Sequence, residues 1–306
     1  FLILLIILSV ILKIPFSMTI QNILVRFGMN AILVLAMVPA VQSGIGLNFN
    51  LPLGIVCGLI GALVSIEFKL YGFKGFFISI LIAIPLAAFF GYFYGRMLNK
   101  IKGQEMTVGT YIGFSVVSLM CIFWLVAPFR SPELIWAYGG TGLRVTVSLE
   151  SSMAHVLNDF WHFNIGNVTI PTGLLFTFAV CGFLVWIYNR SKSGARMKVA
   201  GSNEAFALSN GINVDSERIK GTIMSTVLAA IGIIVYSQSF GFLQLYNAPL
   251  YAAMPAVASV LIGGASLNRA KISHVIIGTL LFQSLLVVSL PVINIISEGS
   301  MSEVIR

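Results

Sequence analysis

Residues 189–221 read NRSKSGARMKVAGSNEAFALSNGINVDSERIKG, a polar run set between two long apolar stretches. Six of the eighteen Lys and Arg residues lie in it: Arg190, Lys192, Arg196, Lys198, Arg218 and Lys220. Residues 202–210 carry the marks of a short helix. Ser202 stands in the N-cap position, where a hydroxyl accepts from an orphan backbone N–H, and Asn210-Gly211 forms a left-handed stop. A charged loop with its own capped helix, in a chain otherwise so apolar, is a part suited to touching something outside the membrane.

Over the whole chain the composition is extreme. Hydrophobic residues make up 58% and charged residues 9%, against roughly 25% charged in an average soluble domain. A mean hydropathy of +0.98 cannot be hidden in a soluble core of this size, so the expected fold is an all-α polytopic membrane protein. A net charge of +8 would point to nucleic acid in a soluble chain. Here the basic residues fall mostly in loops, as the positive-inside bias requires, and nucleic acid is not an expected partner. Cys57, Cys121 and Cys181 each sit inside an apolar run with no Cys or His at ligand spacing, so neither a disulfide nor a metal site is expected.

Crossing the hydrocarbon takes about twenty apolar residues. Nine such spans are expected, near 1–15, 27–42, 52–67, 74–95, 107–128, 170–189, 218–239, 249–264 and 272–291, and a tenth begins near Ser302. Residues 1–14 lack the basic start and small-residue cleavage site of a signal peptide and read as most of a first span. Arg96, Lys100, Lys102, the six basic residues of the polar run, Arg269 and Lys271 make eleven on one side; Lys13, Arg26, Lys69, Lys74, Arg130 and Arg144 make six on the other. The richer side is therefore cytoplasmic. On this scheme 1–306 is one transmembrane domain with both termini in the cytoplasm, 129–169 an outer loop and 190–217 a cytoplasmic loop.

In the outer loop, residues 151–163 (SSMAHVLNDFWHF) offer Ser152 as a cap and Met153, Val156, Leu157 and Phe160 on one face, a pattern for a helix lying along the membrane surface. His155 and His162 are too isolated to read as a metal pair. Trp124, Trp161 and Trp186 fit interfacial belts, and Trp136 also lies in this loop. No ionisable residue is placed at mid-depth, which argues against a buried proton relay.

The spans carry neutral polarity instead. Gln42, Asn48, Asn50, Gln238, Gln244, Tyr246 and Asn247, with Asn30 and Gln283, can either line a path for a hydroxyl-bearing solute or join helices. Two stretches look like broken helices: Gln42 to Pro52, with Gly44 and Gly46, and Gly241 to Pro255, with Asn247 and Pro249. Irregular backbone at membrane depth is tolerated where it lines a cavity; ordinary short loops are the alternative. There is no G-x-x-x-x-G-K-[ST], no dinucleotide fingerprint and no G-x-S-x-G, and no catalytic group assembles. Uphill movement of a solute would need energy from another subunit or an ion gradient.

Residues 194–212 (GARMKVAGSNEAFALSNGI), 218–221 (RIKG), 258–266 (ASVLIGGAS) and 278–280 (GTL) together resemble the permease subunits of ABC importers for simple sugars. Permeases for branched-chain amino acids, nucleosides and autoinducer-2 are related to these. The chain departs from the pattern at Ser43–Phe49, where Asn48 stands near a usual acidic residue, and at Asn268-Arg269-Ala270, where glycines are common. The resemblance implies a non-enzymatic subunit working with a second permease, two cytoplasmic ATPases that bind ATP and Mg, and an extracytoplasmic solute-binding protein. The chain itself holds no cofactor, and its solute is most readily a monosaccharide. It also implies that residues 201–211 couple to the ATPase: Gly201, Ser202, Asn203, Ala205 and Gly211 shape the helix, Phe206 and Leu208 enter a groove, and Glu204 favours the helix dipole and can pair with a basic residue of the partner. A self-contained carrier or channel is the competing reading.

Overall fold

The computed structural model describes residues 2, 11, 15–135, 142–161, 163–166 and 168–296. Most of the first expected span, the start of the tenth, Trp136 and His162 lie outside the described residues. Among the described residues, six helical stretches have the length and apolarity to cross a bilayer: Phe16–Gln42, Gly72–Leu98, Glu105–Val126, Thr172–Arg190, Val214–Phe240 and Ile272–Ile293. Two shorter apolar helices, Leu51–Glu67 and Ala248–Ile262, join them.

In chain order, α1 (Phe16–Leu35) and α2 (Met37–Gln42) form one bent rod, followed by α3 (Leu51–Glu67), α4 (Gly72–Leu98) and α5 (Glu105–Val126). Next come β1 (Thr146–Ser148), the single turn α6 (Val156–Asp159), β2 (Phe163–Ile165) and β3 (Val168–Ile170). The second half holds α7 (Thr172–Arg190), α8 (Lys192–Ser202), α9 (Glu204–Ser209), α10 (Val214–Phe240), β4 (Phe242–Gln244), α11 (Ala248–Ile262) and α12 (Ile272–Ile296).

One boundary departs from the sequence reading in a way that matters. The helix expected from residue 27 starts at Phe16, after Pro15 with its φ of −60°, so Arg26 lies inside a helix and not in an outer loop. Gln21, Asn22 and Arg26 dilute the apolar signal of this stretch; they form a polar stripe on a helix, which composition alone reads as a loop.

Lipid chains are as apolar as leucine, so helices in a membrane associate through close packing more than through hydrophobic exclusion. Glycine makes that packing possible around α3, where Leu51 to Ile66 is buried almost throughout. A Cβ on Gly54 would stand 2.7 Å from that of Ala229, and one on Gly58 2.5 Å from Ala230 O, both on α10. Gly91 and Gly95 of α4 approach Thr226 and Thr222 of α10 in the same manner, at 3.0 and 3.1 Å from their hydroxyl oxygens. Those hydroxyls donate to the carbonyls of Thr222 and Arg218, at 2.8 and 2.9 Å, so neither is stranded at the seam. On the outside, Phe77, Leu81, Phe89 and Phe93 of α4 and Phe114, Leu119 and Ile122 of α5 are exposed. Such continuous apolar rows suit hydrocarbon and not water.

At the end of the bundle away from the polar run, backbone pairing replaces helix packing. β1 and β4 are antiparallel with Val147 opposite Leu243, and the Glu67 carboxylate accepts from the N–H groups of Arg130 and Ser131 at 3.1 and 3.0 Å. The surface helix expected over 151–163 is not formed. Ser152 caps nothing and donates to Leu149 O at 3.3 Å, Met153 and Leu157 are buried, and only α6 is helical. Their apolar side chains face the bundle, which offers better packing than the membrane surface. Trp124 likewise is fully buried, not interfacial, whereas Trp161 and Trp186 are exposed.

Candidate functional site

The run that decides the class folds into more helix than its sequence marks. Ser191 Oγ accepts from Gly194 N at 3.1 Å and starts α8; Asn203 Oδ1 accepts from Phe206 N at 2.9 Å and starts α9. The cap is thus Asn203 and not Ser202, which is the last residue of α8 and donates to Val199 O at 3.2 Å. The extended backbone of Asn203, φ −154° and ψ 99°, aims its side chain at the N–H groups ahead of it. Gly211, at φ 70°, supplies the expected left-handed stop. Ile212 N reaches Ala207 O and Gly211 N reaches Leu208 O, both at 3.0 Å, closing the helix on two bonds. Ala207, Ala200, Val214 and Ile212 form a small apolar cluster under this turn, and Asn213 Oδ1 accepts from Ser216 N at 3.0 Å to start α10.

Ionic contacts fix the unit to the bundle. Lys102 Nζ lies 2.6 Å from Glu204 Oε1 and 3.1 Å from Asp215 Oδ1. The hydrogen bond to Glu204 is the main cause that holds this ammonium above the usual lysine range, against the opposing effect of desolvation, so Lys102 stays charged at neutral pH. Glu204 therefore has a partner within the chain. Asn99 Nδ2 donates to Asp215 O at 2.9 Å. Arg218 pairs with Glu105 where both side chains are largely buried, and the second oxygen of Glu105 accepts from Gly103 N at 2.8 Å. Lys198 is drawn below the usual lysine range by desolvation while its ammonium donates to Asn189 O at 2.8 Å.

The first interrupted stretch ends at the same platform. A Cβ on Gly201 would stand 2.6 Å from Gly44 N, and Gln42 Nε2 donates to Ala270 O at 2.9 Å. Residues 42–46, 99–105, 201–218 and 266–271 thereby form one face. It gathers the basic loops counted above, while Lys69, Lys74 and Arg130 belong to the opposite end. From this face α9 projects with only Ala207 buried; Phe206 and Leu208 are 56% and 58% exposed.

The profile of the family described as branched-chain amino acid transport system, permease component, matches residues 3–306. The chain belongs to this permease family. No curated protein and no solved structure matches it. Family membership makes it a permease subunit of an ABC transporter, a membrane protein that works with ATPase and substrate-binding partners and with a second permease.

The polar residues singled out in the permease sequence scatter to different places. Asn48 is buried, donates to Ser225 Oγ at 2.9 Å and accepts from Asn50 N at 3.1 Å. Asn50 beside it is also buried. Gln238 is buried at the opposite end, where Oε1 accepts from Leu157 N at 3.1 Å. Tyr246 donates to Leu143 O at 3.1 Å, and Asn247 is exposed at the start of α11. The second break is shorter than expected, because Pro255 lies inside α11. Gln244 lines a cavity of ≈ 160 Å³ with Asn30, Tyr236 and Tyr251. A second cleft shares Asn30, Tyr236 and Pro255 with this cavity and is lined by Arg26, a residue sequence reasoning missed; the signal is its spacing, four residues from both Asn22 and Asn30. Among the described residues no cluster of His, Cys, Asp or Glu is arranged to hold a metal ion.

Proposed function

We propose that this permease is the membrane subunit of a binding-protein-dependent ABC importer for a small polar solute, with its basic face in the cytoplasm. On that face α9 is the element that receives motion from the ATPase. The observation that carries this reading is its construction: a six-residue helix capped at both ends, tied by Glu204 to Lys102, that still presents Phe206 and Leu208 to solvent. Exposed apolar side chains on a rigid, charged surface are the pattern of an anchor for a partner groove. Motion imparted to α9 would pass through the Gly201–Gly44 crossing to α2 and α3, and through Asn213 to α10. ATP and Mg would be bound by the ATPase, and the solute would arrive from a binding protein on the other side. Sequence resemblance favours a monosaccharide or a relative of one.

The test is Phe206→Asp. Because the residue is exposed, the variant should insert and remain monodisperse, while solute uptake into vesicles holding the permease, its ATPase and its binding protein falls at least tenfold, with ATP hydrolysis no longer stimulated by solute. Unchanged uptake would sink the proposal, and full transport by the purified permease alone would replace it with a self-contained carrier.

A further inference from the structure

A charged side chain inside a spanning helix is out of place in lipid, and such residues mark pathways and binding sites. Arg26 lies ten residues into the α1–α2 rod, about 15 Å from its start and 24 Å from Gln42 at 1.5 Å per residue. It lines a cleft of ≈ 320 Å³ between α1, α10, α11 and α12. Asn22, Arg26 and Asn30 recur every four residues and all border this cleft; across it stand Tyr236, Ser239 and Gln283.

Two observations indicate that the cleft is built for an occupant. Arg26 is exposed at the cleft, and its guanidinium, never neutral in a protein, has no acidic partner among the described residues. Ser239 is 6% exposed, and its hydroxyl is without a hydrogen bond among the described residues. Asn30 Nδ2 donates to Arg26 O at 2.9 Å, which holds that amide on the same face of α1. The cleft adjoins the ≈ 160 Å³ cavity containing Gln244, since Asn30, Tyr236 and Pro255 border both.

We infer that this cleft is a solute site in which Arg26 recognises a carboxylate, so that the solute is a small acid bearing hydroxyl groups. This rests on the importer reading and narrows its substrate. The planar fork of arginine matches a carboxylate in two parallel hydrogen bonds. The amides of Asn22, Asn30 and Gln283 and the hydroxyls of Tyr236 and Ser239 supply donors and acceptors for the remainder of the molecule. A neutral sugar would use the amides and leave the cation unpaired in a membrane cleft.

The experiment is binding to the full chain in phosphatidylcholine nanodiscs by saturation-transfer NMR, with matched probes: D-gluconate against D-sorbitol and D-galacturonate against D-galactose. At least one acid should bind about tenfold or more tightly than its neutral match, as loss of a hydrogen bond to a charged group implies. That preference should vanish in Arg26→Gln and survive in part in Arg26→Lys, with both variants monodisperse. Absence of any acid preference overturns the inference, as does a preference that Arg26→Gln retains. Arg26-dependent retention of added phosphatidylglycerol without an acid preference assigns the guanidinium to a lipid headgroup and also overturns it. ATP-coupled uptake is a separate readout: intact coupling without an acid preference refutes the site and leaves the importer reading standing.

Discussion

The two interrupted stretches, 42–50 and 241–247, are built from similar residues and put to opposite uses. Each has a glycine in the left-handed region, Gly44 at φ 80° and Gly241 at φ 82°, and each has asparagine before a helix that begins with proline near its first turn. In the first, Asn48 and Asn50 are buried and the backbone crosses Gly201 within contact distance. In the second, Gln244 and Asn247 are exposed, and a Cβ on Gly241 would meet only His155 Nε2 at 3.6 Å. The first break is a junction closed by other backbone, whereas the second is tied to β1 through Phe242–Gln244 and still turns the Gln244 side chain to a cavity, within reach of a ligand. Identity of the residues does not decide between them; what stands opposite does.

The comparison can be broken most forcefully at the ion pair beneath the first junction. Glu105→Gln leaves Arg218 buried without its counter-charge and should cost about 3–5 kcal/mol, while Glu105→Leu with Arg218→Met should recover most of that loss. Unfolding of the purified protein in mixed micelles reads both, and equal instability of single and double variants would contradict the burial assigned to the pair. Next in size, Gly201→Val sets a side chain against the backbone of Gln42 and Gly44, which cannot swing aside as a side chain would. A loss of about 3 kcal/mol or more is expected, against about 1–2 kcal/mol for Gly241→Ala, where only φ is strained. Similar melting temperatures for the two would erase the distinction between packed and open breaks.

The smallest effect sharpens it. Asn48→Ala removes the bond to Ser225 and the one from Asn50 N, and should cost about 1–3 kcal/mol. Asn247→Ala, exposed and without a side-chain cap bond, should stay within about 0.5 kcal/mol of the parent protein. If Asn247→Ala proves the more damaging, the second break is packed in a way that its exposure does not reflect.

Local chemistry explains which features were legible in the sequence. Eight expected spans are helices, six of them long enough to cross a bilayer and two of 17 and 15 residues, because a long apolar run leaves the backbone few other ways to satisfy itself in lipid. The stop at Gly211 was legible because a left-handed position selects glycine whatever its surroundings. The start of the same helix was misplaced by one residue: Ser202 and Asn203 are both good caps, and the choice rests on which has the extended backbone. Arg26 was read as a loop residue because a charge among amides resembles an interfacial segment until another helix places Tyr236 and Ser239 opposite it.

By itself the sequence determined that this is a helical membrane protein, where its principal spans run, and that its basic residues gather in three loops. Those properties depend on composition and spacing within some twenty residues. Only the tertiary structure decided that Asn48 is buried while Asn247 is open, that Trp124 is inside, and that Arg26 faces a cleft. Each of these turns on a neighbour distant in the chain, as with the 177 positions separating Asn48 from Ser225, and no local pattern encodes which partner a buried polar group will meet.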